Sequence, residues 1–166
     1  MRTRRINEDR DPIILVVDDE EIVLDSIKSF FAIDTNYQLI TYTSPFKALG
    51  DLDRNQRRID LVISDYSMPE MDGIAFLSRV KDRFPMVPRI LLTGHADKES
   101  AIKAINRVGL YQYIEKPWDN EGLKLVVRNG LEKNTLLNEL EDRISQIEEA
   151  HRELSEVQKD ILRVFA

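Results

Sequence analysis

The sequence predicts an α/β fold: a doubly wound, five-stranded parallel sheet followed by a long C-terminal helix. Three observations lead there. From Pro12 to about Gly130, short apolar runs alternate with amphipathic stretches. The runs are rich in β-branched and aliphatic side chains, as strands covered on both faces require. After Gly130 neither proline nor glycine occurs, charge is dense, and apolar residues recur at helical spacing as far as Ala166.

Each unit can be read in turn. Ile13 to Val17 is the first strand, closed by Asp18 and Asp19, and Glu21 to Ala32 is the helix after it. Tyr37 to Thr41 is the second strand. Ser44 then Pro45 opens a helix to Leu52, with serine as N-cap and proline where its missing N–H costs nothing. Asp60 to Ser64 is the third strand, with Asp65 at its end. Pro69 and Asp72-Gly73 are turn chemistry leading into the helix Ile74 to Phe84. Val87 to Thr93 and Lys98 to Asn106 form the fourth unit. Tyr111 to Ile114 is the fifth strand, followed by Lys116-Pro117 and a helix beginning near Asp119. Five βα units of this length build a doubly wound sandwich.

Three segments follow. Residues 1–11 form a basic arm expected to be flexible, 12–130 the α/β domain, and 131–166 a coiled-coil helix continuing the fifth helix. In that helix Leu137, Leu140, Ile144, Ile147 and Leu154 alternate three and four apart, interrupted only by His151. That is an a/d seam. Val157, Ile161 and Val164 continue it after a three-residue step that would overwind a supercoil. A helix with one such stripe must bury it, and pairing with a second copy is the simplest way. The periodicity runs unbroken to Ala166, so either a further output segment or a docking arm is expected.

Composition narrows the function. With 42% hydrophobic and 33% charged residues the chain reads as a globular, soluble protein. No apolar stretch approaches the roughly 18 residues that a membrane span needs. Absence of cysteine excludes thiolate chemistry and fits a cytoplasmic location. A net charge of -6, and a segment 131–166 with 9 acidic against 5 basic residues, argue against direct nucleic-acid binding.

In a parallel sheet with crossover helices, ligands bind beyond the carboxyl ends of the strands. That edge would gather Asp18, Asp19, Asp65, Thr93 and Lys116. Three carboxylates held together repel and raise one another's pKa values, and a hard divalent cation such as Mg²⁺ removes the conflict. Asp65 would be both a metal ligand and a nucleophile toward phosphorus. Lys116 and the Thr93 hydroxyl would hold phosphoryl oxygens. An acidic pair alone is usually a solvated turn; here the conjunction carries the reading.

The stretches Val16-Val17-Asp18-Asp19-Glu20, Asp65-Tyr66-Ser67-Met68-Pro69-Glu70-Met71-Asp72-Gly73, Leu92-Thr93-Gly94 and Tyr113-Ile114-Glu115-Lys116-Pro117 occur in this order. From Ile13 to about Leu131 the chain thus resembles the receiver domain of bacterial two-component response regulators. The resemblance implies a flavodoxin-like strand order 2-1-3-4-5. It implies that Asp65 accepts a phosphoryl group from a sensor histidine kinase or phosphotransfer protein. Asp18, Asp19, Asp65 and the backbone carbonyl of Ser67 would hold Mg²⁺. Thr93 and Tyr113 would be the switch pair, and Lys116 to Pro117 a cis peptide bond. Gln112 replaces the acidic residue of winged-helix-class receivers, which speaks against their charged dimer face. Ser67 and His95 stand where the family tunes phosphoryl lifetime, and Trp118 recurs in receivers with other outputs.

The reading is then a phosphorylation-controlled switch, not an enzyme on outside substrates, that relays its state through a dimeric coiled coil to an output domain or partner. The segment 131–166 resembles helices joining receivers to catalytic outputs. A receiver-shaped scaffold independent of phosphate is the alternative. A Mg²⁺-dependent phosphatase is a third reading; such enzymes usually place an acid two residues after the nucleophile, where this chain has Ser67.

Overall fold

The computed structural model describes residues 10–55 and 57–166. Most of the basic arm, residues 1–9, lies outside the described residues. The sheet is parallel throughout, in the order β2-β1-β3-β4-β5. Its strands are β1 (Ile13–Val17), β2 (Gln38–Tyr42), β3 (Leu61–Asp65), β4 (Arg89–Thr93) and β5 (Gln112–Glu115). Between them run α1 (Glu21–Asp34), α2 (Pro45–Asn55), α3 (Gly73–Arg83) and α4 (Lys98–Ala104), and α5 (Asn120–Val164) closes the chain.

Strand alternation splits the core in two. Ile14 and Val16 face one side with Leu24, Ile27 and Phe31 of α1 and Leu123, Val127 and Leu131 of α5. Leu15 and Val17 face the other with Leu49 and Leu52 of α2, Phe76, Leu77 and Val80 of α3, and Ala101 of α4. Because both faces are covered, β1, β3 and β4 are buried nearly end to end, which is why they read as apolar runs instead of alternating ones.

Several boundaries differ from the sequence expectation. β2, β3 and β5 each lie one residue further along the chain. For β3 the cause is pairing: Asp65 is in register with Leu92, so the ladder runs one residue past the apolar run. β4 begins at Arg89 and not Val87, and Pro88, which has no N–H, still accepts from Val62. α1 runs to Asp34, two residues beyond Ala32. α2 starts at Pro45 as expected, with Lys47 N–H donating to Ser44 Oγ at 3.3 Å. α3 starts at Gly73, capped by Asp72 Oδ1 accepting from Ala75 N–H at 2.7 Å. The fourth helix, expected to reach Asn106, stops at Ala104 and passes into a π-helical turn, Ile105–Gly109.

Arg89 accounts for how that turn is held. Its buried Nη1 donates to Val87 O at 2.8 Å and Nη2 to Gly109 O at 2.9 Å. Gly109 sits at a φ of 63°, a conformation natural to glycine. Burial pushes the Arg89 guanidinium pKa below its ordinary value.

The chain divides into two compact units, the first ending at Asn134 and the second comprising Thr135–Ala166. Within the second unit Leu140, Ile144, Ile147, Leu154, Val157 and Ile161 are 47% to 68% exposed, so the seam has no cover from its own unit. Leu137 is half-buried.

Arg89→Met should cost about 2–3 kcal/mol, because several buried carbonyls lose a charged donor. Urea unfolding of the two proteins measures it directly; equal midpoints would show that the clamp contributes nothing.

Candidate functional site

The strand order sets β3 between β1 and β4, with β5 next to β4. Asp65 is the last residue of β3 and Thr93 the last of β4; Asp18 follows β1 and Lys116 follows β5. All strands are parallel, so these residues emerge at one edge. Asp18 is fully buried, Asp65 is 5% exposed, and Asp19 is open to solvent.

The carboxylates converge. Asp18, Asp19 and Asp65 each offer an oxygen, and the three oxygens lie within 4.8 Å of one another. Lys116 Nζ stands 3.1 Å from Asp18 Oδ2 and 2.9 Å from Asp65 Oδ1. The lysine backbone is fixed as well, its N–H donating to Thr93 O at 2.7 Å, and the Lys116-Pro117 bond is cis. Asp18 Oδ1 accepts from Glu20 N–H at 2.9 Å. One ammonium thus faces three acids, leaving the cluster short of positive charge.

The electrostatics follow from that shortage. Burial pushes the Asp65 carboxyl above its ordinary pKa; the bond to Lys116 pulls it back, while the charges of Asp18 and Asp19 add to the rise. Burial works against the Lys116 ammonium, yet its bonds and charge pairing with Asp65 and Asp18 hold its pKa above the ordinary lysine value. Hard oxygen donors with uncompensated negative charge fit a small divalent cation such as Mg²⁺.

Thr93 supplies a second observation. Its Oγ1 is fully buried and has no hydrogen-bond partner among the described residues. Buried hydroxyls are nearly always paired, so an orphan at the end of β4, on a residue whose carbonyl accepts from Lys116 N–H, suits a ligand oxygen. Tyr113, on the adjacent strand, is half-buried and packs against the α2–α4 side of the core.

Backbone packing keeps Asp65 in place. A Cβ at Gly73 would lie 2.1 Å from the Asp65 carbonyl oxygen, so no larger residue fits without moving the strand end. Gly73 N–H also donates to Tyr66 O at 2.8 Å, tying the loop after β3 back on itself. Ser67 lies in that loop and is exposed. Glu70, further along it, accepts from Ser44 Oγ at 2.7 Å and so joins the loop to the start of α2.

Glu115 is the residue that sequence reasoning passed over. Its Oε1 meets His95 Nδ1 at 2.6 Å and its Oε2 lies 3.5 Å from Lys98 Nζ, linking the end of β5 to the β4–α4 connection. The His95 bond, opposed by desolvation and helped by Lys98, holds the Glu115 carboxyl below its ordinary pKa. The available signal was strand register, which pairs Glu115 with Thr93.

Comparison with known proteins agrees with this geometry. The sequence profile of the response regulator receiver domain matches residues 14–128. The hydrogenase transcriptional regulatory protein HoxA of Cupriavidus necator is 33% identical over 80% of this chain and 27% of its own length. The chain therefore spans about a quarter of that curated relative. Among solved structures, the signal receiver domain of an HD domain-containing protein from Pseudomonas fluorescens is 38% identical, with a TM-score of 0.69, covering 75% of this chain and 98% of that one. NtrX from Brucella abortus is 32% identical over 80% of this chain and 29% of its own, with a TM-score of 0.71.

The raised Asp65 pKa has a thermodynamic consequence. The folded state favours the protonated carboxyl, so the stabilisation this group offers is present below the ordinary aspartate range and lost as pH rises through its raised pKa. Asp65→Asn should therefore melt higher than the parent protein at neutral pH in EDTA. The gap should close on acidification. A parent protein that melts higher at neutral pH would contradict the charge conflict.

Proposed function

The chain belongs to the response regulator receiver domain family, and from that premise we propose that it is a Mg²⁺-dependent phosphoryl switch with Asp65 as acceptor. The observation that carries the assignment is the convergence of Asp18, Asp19, Asp65 and Lys116 beside the orphaned Thr93 hydroxyl. Asp18, Asp19, Asp65 and the Ser67 carbonyl would hold the cation, which when bound neutralises the acidic cluster and phosphoryl charge.

Each side chain has a part. An Asp65 carboxylate oxygen attacks the phosphorus of a phosphohistidine on a sensor kinase or phosphotransfer protein. An O–P bond forms, the N–P bond breaks, and the histidine nitrogen keeps the electron pair. Lys116 turns its ammonium from the carboxylates toward the new phosphoryl oxygens, and Thr93 donates the hydrogen bond it otherwise lacks. Thr93 then draws away from its resting place, and Tyr113 turns inward into the space released. That is a two-state element biased by one charged group. The only chemistry this chain performs is its own phosphorylation and dephosphorylation.

The relay is read elsewhere. Similar receivers serve a transcriptional regulator and an HD domain-containing protein, so the contribution of this chain is the switch and its transmission, not the output chemistry. Residues 131–166 carry the state onward as a homodimeric coiled coil through Leu137, Leu140, Ile144, Ile147, Leu154, Val157 and Ile161. No helix among the described residues is long and apolar enough to cross a membrane, and we place the protein in the cytoplasm without direct contact to nucleic acid.

Intact-protein mass after incubation with acetyl phosphate and Mg²⁺ tests the assignment. One added phosphoryl group is expected, absent in Asp65→Asn and absent in EDTA. No adduct on the folded protein, together with no binding of beryllofluoride, would leave a receiver-shaped scaffold. A second expectation concerns assembly: Leu140→Glu with Ile144→Glu should give monomers by light scattering and still take up phosphate. A dimer surviving both changes would put the interface on the globular unit.

A further inference from the structure

We infer that the exposed stripe of residues 135–166 takes a second copy of this chain in a parallel, in-register, two-stranded coiled coil, aligned by Arg143, Glu148 and His151. The inference rests on the coiled-coil part of the proposed function and adds what that reading leaves open: direction, register and strand number.

The heptad is set by spacing. Leu137, Ile144 and His151 fall at a, and Leu140, Ile147 and Leu154 at d. Glu141 and Glu148 then occupy e, with Arg143 at g. In a parallel pair, g of one helix meets e of the next heptad on the other, so Arg143 faces Glu148 of the second copy twice by symmetry. In an antiparallel pair e faces e and g faces g, so Glu141 and Glu148 would meet each other or Ser155, while Arg143 would meet Leu136, Ala150 or its own copy, none of them acidic. Charge complementarity therefore selects the parallel arrangement. Neither Arg143 nor Glu148 has an ion pair within its own chain among the described residues, and five residues apart they lie too far around the helix to pair with each other. Both are free for a neighbour.

His151 selects the register. It is the one polar residue among the a and d positions from Leu137 to Leu154, and its side chain is exposed in the single chain. A polar residue at a single a position fixes strand number and alignment at some cost in stability, because it tolerates its own copy better than an apolar partner. In register the two imidazoles meet each other. A shift of one heptad sets His151 against Ile144, and reversal sets it against a d-position Ile or Leu.

The chain contains no cysteine, so direction can be read with single introduced thiols. Leu140→Cys and Leu154→Cys, each oxidised with copper phenanthroline, should both give disulfide-linked dimers of the full chain. Only a parallel, in-register pair brings both positions onto their own copies. Glu148→Lys should weaken association by about three- to thirty-fold, and Arg143→Glu added to it should restore the parent affinity. His151→Ile should tighten association. A dimer that cross-links at one position or neither, or whose charge swap does not restore affinity, overturns the parallel register and leaves the dimer reading standing. A monomeric parent protein overturns both, whatever the phosphorylation assay gives; a trimer overturns the two-stranded assignment.

Discussion

Three carboxylates and one ammonium at the edge of a buried sheet cannot all be satisfied by one another, and the organisation of the site follows from that imbalance. Lys116 bridges Asp18 and Asp65, but Asp19 and the remaining oxygens are left with no counter-charge in the cluster. A hydrophobic sheet makes the imbalance sharper, since Asp18 is fully buried and Asp65 nearly so. The site is therefore held ready for a cation and for an anionic group that the cation and Lys116 can share. On the proposed reading, reactivity at Asp65 would belong to the unbalanced cluster and the cation it would hold, not to one residue.

The rest of the α/β unit holds that imbalance in place. Parallel strands deliver Asp65 and Thr93 on neighbouring strand ends, and the β4–β5 ladder sets Lys116 beside them through its bond to Thr93 O. Gly73 closes on the Asp65 carbonyl so tightly that even one methyl group is excluded. On the other flank, Glu115 fastens the β4–α4 connection through His95 and Lys98. Such exposed ion pairs are individually weak. On the proposed switch reading, that weakness would let the connection shift when Thr93 takes a phosphoryl oxygen.

The sequence was most legible where one physical requirement dominates. Burial on both faces makes strands into apolar runs, so five strands, their order of appearance and the acids at their ends could be read directly. Lys116 meets Asp18 and Asp65 where their strand-end positions suggested, and Thr93 ends the neighbouring strand. Boundaries were less legible because hydrogen-bonding register, not hydrophobicity, fixes them: Asp65 is polar yet belongs to the β3 ladder. The end of α4 was missed because the π turn depends on Arg89 reaching Gly109 from another element, which local periodicity does not encode. Glu115 was missed for a similar reason, its partners being on the neighbouring connection. The seam from Leu137 to Ile161 is legible as periodicity, and its exposure within its own unit gives the pairing reading its physical motive.

Calorimetric titration of Mg²⁺ into the metal-free protein, with Asp65→Asn and Asp19→Asn titrated alongside, decides whether the acidic cluster takes a cation that Asp65 shares. One saturable site is expected in the parent protein, with markedly weaker binding in each variant. Equal binding in all three proteins, or none in the parent, would mean that the cluster is not a cation site.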